Sequence, residues 1–130
     1  MKAVKINLAG ADRYLAFTGE AMFRIQESFG KVKDLAEAMD LGTREGLSAM
    51  ARAAAILAEQ GELARRHMGY SETPIVSEED IFSTIIPADI LDIKAAIFTA
   101  INLGYGRDVE DENDEIDLGL VELEAQKKTT

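Results

Sequence analysis

Residues 43–67 read TREGLSAMARAAAILAEQGELARRH, and this stretch decides the fold class. Leu47, Met50, Ala51, Ala54 and Leu57 recur three and four residues apart, the spacing of one face of an α-helix. Thr43 stands just before the pattern, and its hydroxyl can accept from the first unpaired helix amides, so the helix starts there. Alanine is dense from Ala49 to Ala58, which favours helix and lets a neighbour approach closely. The stripe Ala51, Ala54 and Ala58 reads first as helix packing and second as an oligomer seam. Gly61 is expected to kink or divide the helix before Arg66.

Toward the N-terminus the period changes. Val4, Ile6 and Leu8 alternate with Lys5, Asn7 and Ala9, the pattern of a half-buried strand. Gly10, Ala11 and Asp12 supply a turn, and Leu15 and Phe17 alternate after it, so the opening reads as a hairpin. From Glu20, Met22, Ile25 and Phe29 define a helix that stops at Gly30. A short helix over 31–39 follows, with Val32, Leu35 and either Ala36 or Met39 inward. Toward the C-terminus, Gly69 and residues 71–74 make a loop. Ser77, with Asp80 three residues on, caps a short helix carrying Ile81, Phe82 and Ile85. Pro87 ends that helix and suits the start of the next. The last helix, over 88–103, places Ile90, Ile93, Ile97 and Ile101 on one side, with Leu91 and Phe98 widening the apolar face. Gly104 and Gly106 close it. The expected architecture is mainly α: a short N-terminal β-hairpin and a compact bundle of about five helices over 1–106, then an acidic, flexible tail over 107–130.

Charge supports that division. The chain carries a net −10, and residues 107–130 hold nine acids against three bases, which leaves −4 on the body. Runs of like charge stay solvated and serve as interaction tails. Ile116, Leu118, Leu120, Val121 and Leu123 add an apolar string that solubility alone does not require. The acidic balance argues against a nucleic-acid partner, since the strongest basic cluster is only Arg65–Arg66. The absence of cysteine excludes disulfides and thiolate metal sites. The opening residues lack the apolar run of a signal peptide. The most apolar stretch, near Ile90 to Leu103, contains Asp92 and Lys94 and does not read as a membrane span.

No catalytic set assembles. His67 is the single histidine, beside Arg65 and Arg66 near a helix end, where it reads as a partner of the C-terminal dipole. Gly104-Tyr105-Gly106 follows a helix and lacks a lysine, so it is no phosphate loop. Asp111, Asn113, Glu115, Asp117 and Glu122 fall at the first, third, fifth, seventh and twelfth places of a calcium loop. The sixth place needs glycine for its sharp turn and holds Ile116, so the run reads as solvated charge. No cofactor or metal is expected. The apolar residues that could receive a partner are Ile93, Ile97, Phe98 and Ile101 on the last helix, with core as their first reading. Ile116, Leu118, Leu120 and Leu123 are the candidates in the tail.

The opening KINLAGADRYLAFTGEAMFRIQESFG over 5–30 resembles the start of tail assembly chaperones of long-tailed bacteriophages and prophages. GLSAMARAAAILAEQG over 46–61 looks like the small-residue helix of that family. SEEDIFSTII over 77–86, followed by DIKAAIFTAINLGYG over 92–106, is similar to its late pair of helices. The likeness covers about 100 of the 130 residues and is carried by hydrophobic patterns. It implies a non-enzymatic protein that coats the aggregation-prone tape-measure protein and recruits tail tube subunits. It also implies homo-oligomers, residence in the bacterial cytoplasm, and absence from the mature virion. A longer form made by ribosomal frameshifting near Lys127–Lys128 is a further implication. The apolar end of the tail departs from the family pattern. The rival reading is a small acidic regulatory protein that binds and inhibits a host protein through its tail.

Because Ile116 occupies the glycine place, calcium titrated into the protein in a calorimeter should give no saturable heat at micromolar concentrations. A saturable site would overturn the charge-run reading.

Overall fold

The computed structural model describes residues 1–40 and 42–107, together with the backbone of 115–117. Strand β1 spans Lys2–Leu8 and β2 spans Ala11–Leu15. Helices α1 (Gly19–Phe29), α2 (Val32–Ala38), α3 (Arg44–His67) and α4 (Glu78–Thr84) follow. A 3-10 turn at Pro87–Asp89 leads into α5 (Ile90–Gly104), and β3 is Glu115–Asp117. The mainly helical class, the hairpin and the five helices are as the sequence pattern predicts.

Local chemistry sets most boundaries. The Thr18 hydroxyl accepts from the Ala21 amide at 3.1 Å, Thr43 from Gly46 at 2.9 Å, and Ser77 from Asp80 at 3.0 Å. Each cap satisfies an amide that the helix itself leaves unpaired. Gly30, at φ 90°, stops α1 in a conformation that costs other residues strain. Pro87 opens the 3-10 turn with its fixed φ. The hairpin turn lies earlier than expected. Leu8 pairs with Ala11 and Asn7 with Asp12, so the turn is Ala9-Gly10, both at positive φ. Two such residues give a turn whose twist matches antiparallel strands.

The core gathers Val4, Leu8 and Leu15 from the hairpin with Ile25, Leu35, Met50, Leu57, Ile81, Ile97 and Ile101 from the helices. Met39, and not Ala36, is the second inward residue of the α2 segment. Helix α5 lies along β1 and buries Ile93, Ala96, Ile97, Ala100 and Ile101. Leu91 points the other way and is 70% exposed.

Gly61 neither kinks nor divides α3, which runs unbroken from Arg44 to His67. Its role is close approach. A Cβ on Gly61 would lie 1.7 Å from the Tyr14 carbonyl oxygen, and beside it the Ala16 amide donates to the Leu57 carbonyl at 3.1 Å. The outer side of β2 therefore rests on the backbone of α3. Within the 107–130 segment, residues 115–117 form a short third strand. Strand β3 pairs antiparallel with β1, giving the order β2-β1-β3. Ile116 lies opposite Ala3. The rest of that segment beyond Arg107 lies outside the described residues, and with it Leu118, Leu120, Leu123 and most of the calcium-loop spacing.

Gly61→Ala should lower the urea unfolding midpoint by an amount equivalent to about 3 kcal/mol, as overpacking against backbone does at its upper end. Gly19→Ala, where a Cβ meets nothing within 4 Å, should stay within about 0.5 kcal/mol of the parent. Equal stability of the two variants would show that β2 and α3 do not meet at Gly61.

Candidate functional site

The most polar buried cluster lies one residue beyond the Gly61 contact. Glu62, Arg65 and Gln60 are the buried polar side chains among the described residues. Helical spacing sets Arg65 and Arg66 three and four residues after Glu62, on the same face. The Glu62 carboxylate accepts from Arg65 at 2.7 Å and from Arg66 at 2.8 Å. It also accepts from the Thr73 amide at 2.9 Å and the Thr73 hydroxyl at 2.6 Å. One carboxylate thus fills its acceptor capacity with four donors. Burial pushes the Glu62 carboxyl up, but the Thr73, Arg66 and Arg65 hydrogen bonds outweigh it and hold the pKa at about 2, below the ordinary 4.5.

Arginines fasten the same loop along its length. Arg65 donates to the Ser71 carbonyl at 3.3 Å, Arg66 to Thr73 at 2.9 Å, and Arg13 to Pro74 at 2.6 Å. The Arg65 guanidinium sits over the rings of Tyr14 and Tyr70, at 5.3 and 5.1 Å. Stacked planar guanidinium is weakly hydrated and tolerates burial better than lysine would. The cluster is a clasp. Glu62 and Arg65 are its buried part, Arg66 is half-buried and Thr73 faces water, and the clasp pins residues 71–74 to the end of α3.

That pinning builds the candidate site. The pinned loop continues into Ile75 and Val76, which form one wall of a groove of about 540 Å³ between α1 and α3. Ala55 and Ile56 of α3 make the floor. Ile75 is 41% exposed, a large apolar side chain left partly in water at the groove wall. Ion pairs edge the strip: Arg24 with Glu59, and Arg52 with Glu78 at 3.3 Å. The α1 side of the groove is polar, with Arg24, Glu27 and Ser28, and Ile75 is its one large exposed apolar side chain. The groove lining contains no histidine. No group of histidine, aspartate or glutamate suited to a metal occurs among the described residues.

The partner-binding residues expected from the sequence lie elsewhere. Ile93, Ile97 and Ile101 are buried in the core, and Phe98 is half-buried against it, so the core reading of α5 is the one that holds. Ile116 is placed only by its backbone, opposite Ala3. The structure does not bring these residues together with the groove. His67 is exposed in the last turn of α3. Tyr105 caps the end of α5, and its ring packs tilted against Phe17 with centroids 5.2 Å apart. The clasp escaped the sequence reading. Its signal was the Glu62, Arg65, Arg66 spacing, but nothing local names Thr73 as their partner.

Glu62→Gln should destabilise the fold by about 3–5 kcal/mol, because it leaves Arg65 buried without its counter-charge. The folded pKa lies below the unfolded one, so this carboxylate stabilises above about pH 4.5 and the contribution is lost as pH falls toward about 2. Melting temperatures across that window should fall more steeply for the parent than for Glu62→Gln. Parallel curves would show that the clasp contributes nothing.

No protein-family model, no curated protein and no solved structure matches this chain.

Proposed function

We propose that the protein is a non-enzymatic tail assembly chaperone of a long-tailed bacteriophage or prophage, which holds the tape-measure protein and helps recruit tail tube subunits. The groove between α1, α3 and the pinned loop supports this reading. It offers Ala55, Ile56, Ile75 and Val76 as an apolar strip between ion-paired edges. A long amphipathic segment binds such a strip with its apolar face inward and its charged flanks in water. The pinned loop keeps Ile75 in place before the client arrives, which lowers the ordering cost of association. The net charge of −10 makes chaperone molecules repel one another and so counters aggregation through that exposed surface. The likeness of residues 5–30, 46–61 and 77–106 to the chaperone family names the client.

The test is co-expression with the tape-measure protein of the same genome. The chaperone should hold that protein in the soluble fraction, and should still do so in high salt, because apolar contacts dominate. Ile75→Glu should weaken binding about tenfold or more, the loss of roughly 1.4 kcal/mol at one contact, without changing the melting temperature. A client that stays insoluble, or that an unrelated acidic helical protein rescues equally well, would sink the proposal. Binding unaffected by Ile75→Glu but lost on deleting 108–130 would favour the regulatory reading through the acidic segment.

A further inference from the structure

We propose that the groove continues along α3 to Leu63, and that its occupant is a basic amphipathic helix of about three turns. The inference rests on the reading of the groove as a client surface and deepens it, by giving the held segment a length, a conformation and a charge.

The floor of the groove is one stripe of α3. Arg52, Ile56 and Glu59 line it, four and then three residues apart. Leu63 follows four residues later on the same face, and it is 41% exposed. Helix α1 runs antiparallel to this stripe. The Thr18 hydroxyl donates to the Gln60 side chain at 2.6 Å, Arg24 pairs with Glu59, and Ser28 lines the groove with Arg52. Glu20, one turn before Arg24, therefore lies on the Leu63 side of the Arg24–Glu59 pair. From Arg52 to Leu63 the stripe is about 17 Å long, about three turns of a helix laid along it. Such a helix meets Ile75 on the loop wall and Leu63 at the end of the floor with one apolar face.

The walls select that conformation. The floor and the α1 wall are helices, and their backbone groups are paired within them. In the loop, the carbonyls of Ser71, Thr73 and Pro74 accept from arginines, and the Thr73 amide donates to Glu62. An extended peptide would find little free edge here and would bring its own amides unpaired. A helix brings its amides already satisfied.

Charge selects the sign. Arg24 and Arg52 are each held by an acid, Glu59 and Glu78. Glu20 and Glu27 lie seven residues apart on one exposed face of α1, and neither has a cationic partner among the described residues. The α1 side thus carries surplus negative charge, which attracts lysine or arginine on the flank of an incoming helix and repels glutamate. A second copy of the chain, at net −10, brings the wrong sign.

Two synthetic helices of about 18 residues, long enough to fold when stapled, test this. They share one leucine face and differ only in their flanks, lysine in one and glutamate in the other. Anisotropy of the labelled peptides, titrated with the full chain, should show the lysine helix bound and the glutamate helix at least about tenfold weaker. Leu63→Gln should weaken the lysine helix about tenfold without moving the melting temperature, since Leu63 is partly in water. Glu27→Gln should narrow the preference for lysine. Leu91→Gln, at the most exposed apolar side chain of another face, should change nothing. A lysine peptide broken by a central proline should bind more weakly than the intact one. Equal binding of the two helices, no binding of either, or indifference to Leu63→Gln would each overturn the inference. Its failure is separable from that of the chaperone reading. Tape-measure protein kept soluble by Leu63→Gln as well as by the parent removes the extension and leaves the chaperone. A lysine helix held through Leu63, with the tape-measure protein insoluble, removes the chaperone and leaves the surface.

Discussion

The structure depends on one close approach, that of β2 to α3 at Gly61. A strand edge needs partners for its amides and carbonyls, and helices rarely supply them. Here the absence of a side chain at Gly61 lets the Tyr14 carbonyl enter the helix surface, and the Ala16 amide finds the Leu57 carbonyl at 3.1 Å. The hairpin is thereby locked to the longest helix by backbone contact. Val4, Leu8 and Leu15 then face the same core as Leu57, Ile97 and Ile101. Any side chain at Gly61 would separate the two layers.

The same approach organises the charges. It brings the Tyr14 ring over Arg65 and places Arg13 within reach of Pro74. Glu62, next to Gly61 and itself buried, then collects Arg65, Arg66 and Thr73 in one cluster. Burying a carboxylate is costly unless every lone pair is used, and here four donors use them. The result is a rigid loop from a stretch with no secondary structure of its own. The Ile75–Val76 wall of the groove is held by the Glu62 cluster behind it, while Arg24, Arg52, Glu59 and Glu78 line the groove itself.

The sheet is treated differently at its two edges. The β2 side is closed by α3. The β1 side is closed over Lys2–Val4 by β3, from the segment that carries most of the net charge of −10. Of the two lysines on β1, Lys5 pairs with Asp12 of β2 at 3.9 Å. The acidic segment has a structural use besides keeping the protein apart from its neighbours.

What the sequence by itself determined is everything set within a few residues. The helix periods, the caps at Thr43 and Ser77, the stop at Gly30 and the hairpin all follow from neighbours in the chain. Which apolar face is covered was decided only by tertiary structure. In helix α5 the period already set Ile93, Ile97 and Ile101 on one side, but only packing decided that Leu91, which widens the same apolar face, stays 70% exposed. The role of Gly61 was equally hidden. A helix glycine looks like a weak point until a strand forty-seven residues away, at Tyr14, presses its carbonyl against it. The groove was illegible for the same reason. Its floor, wall and edges come from α1, α3 and the 75–78 stretch, and only the Glu62 clasp brings that stretch to them. Local patterns record what a segment prefers; a site assembled from distant segments exists only once packing has chosen among those preferences.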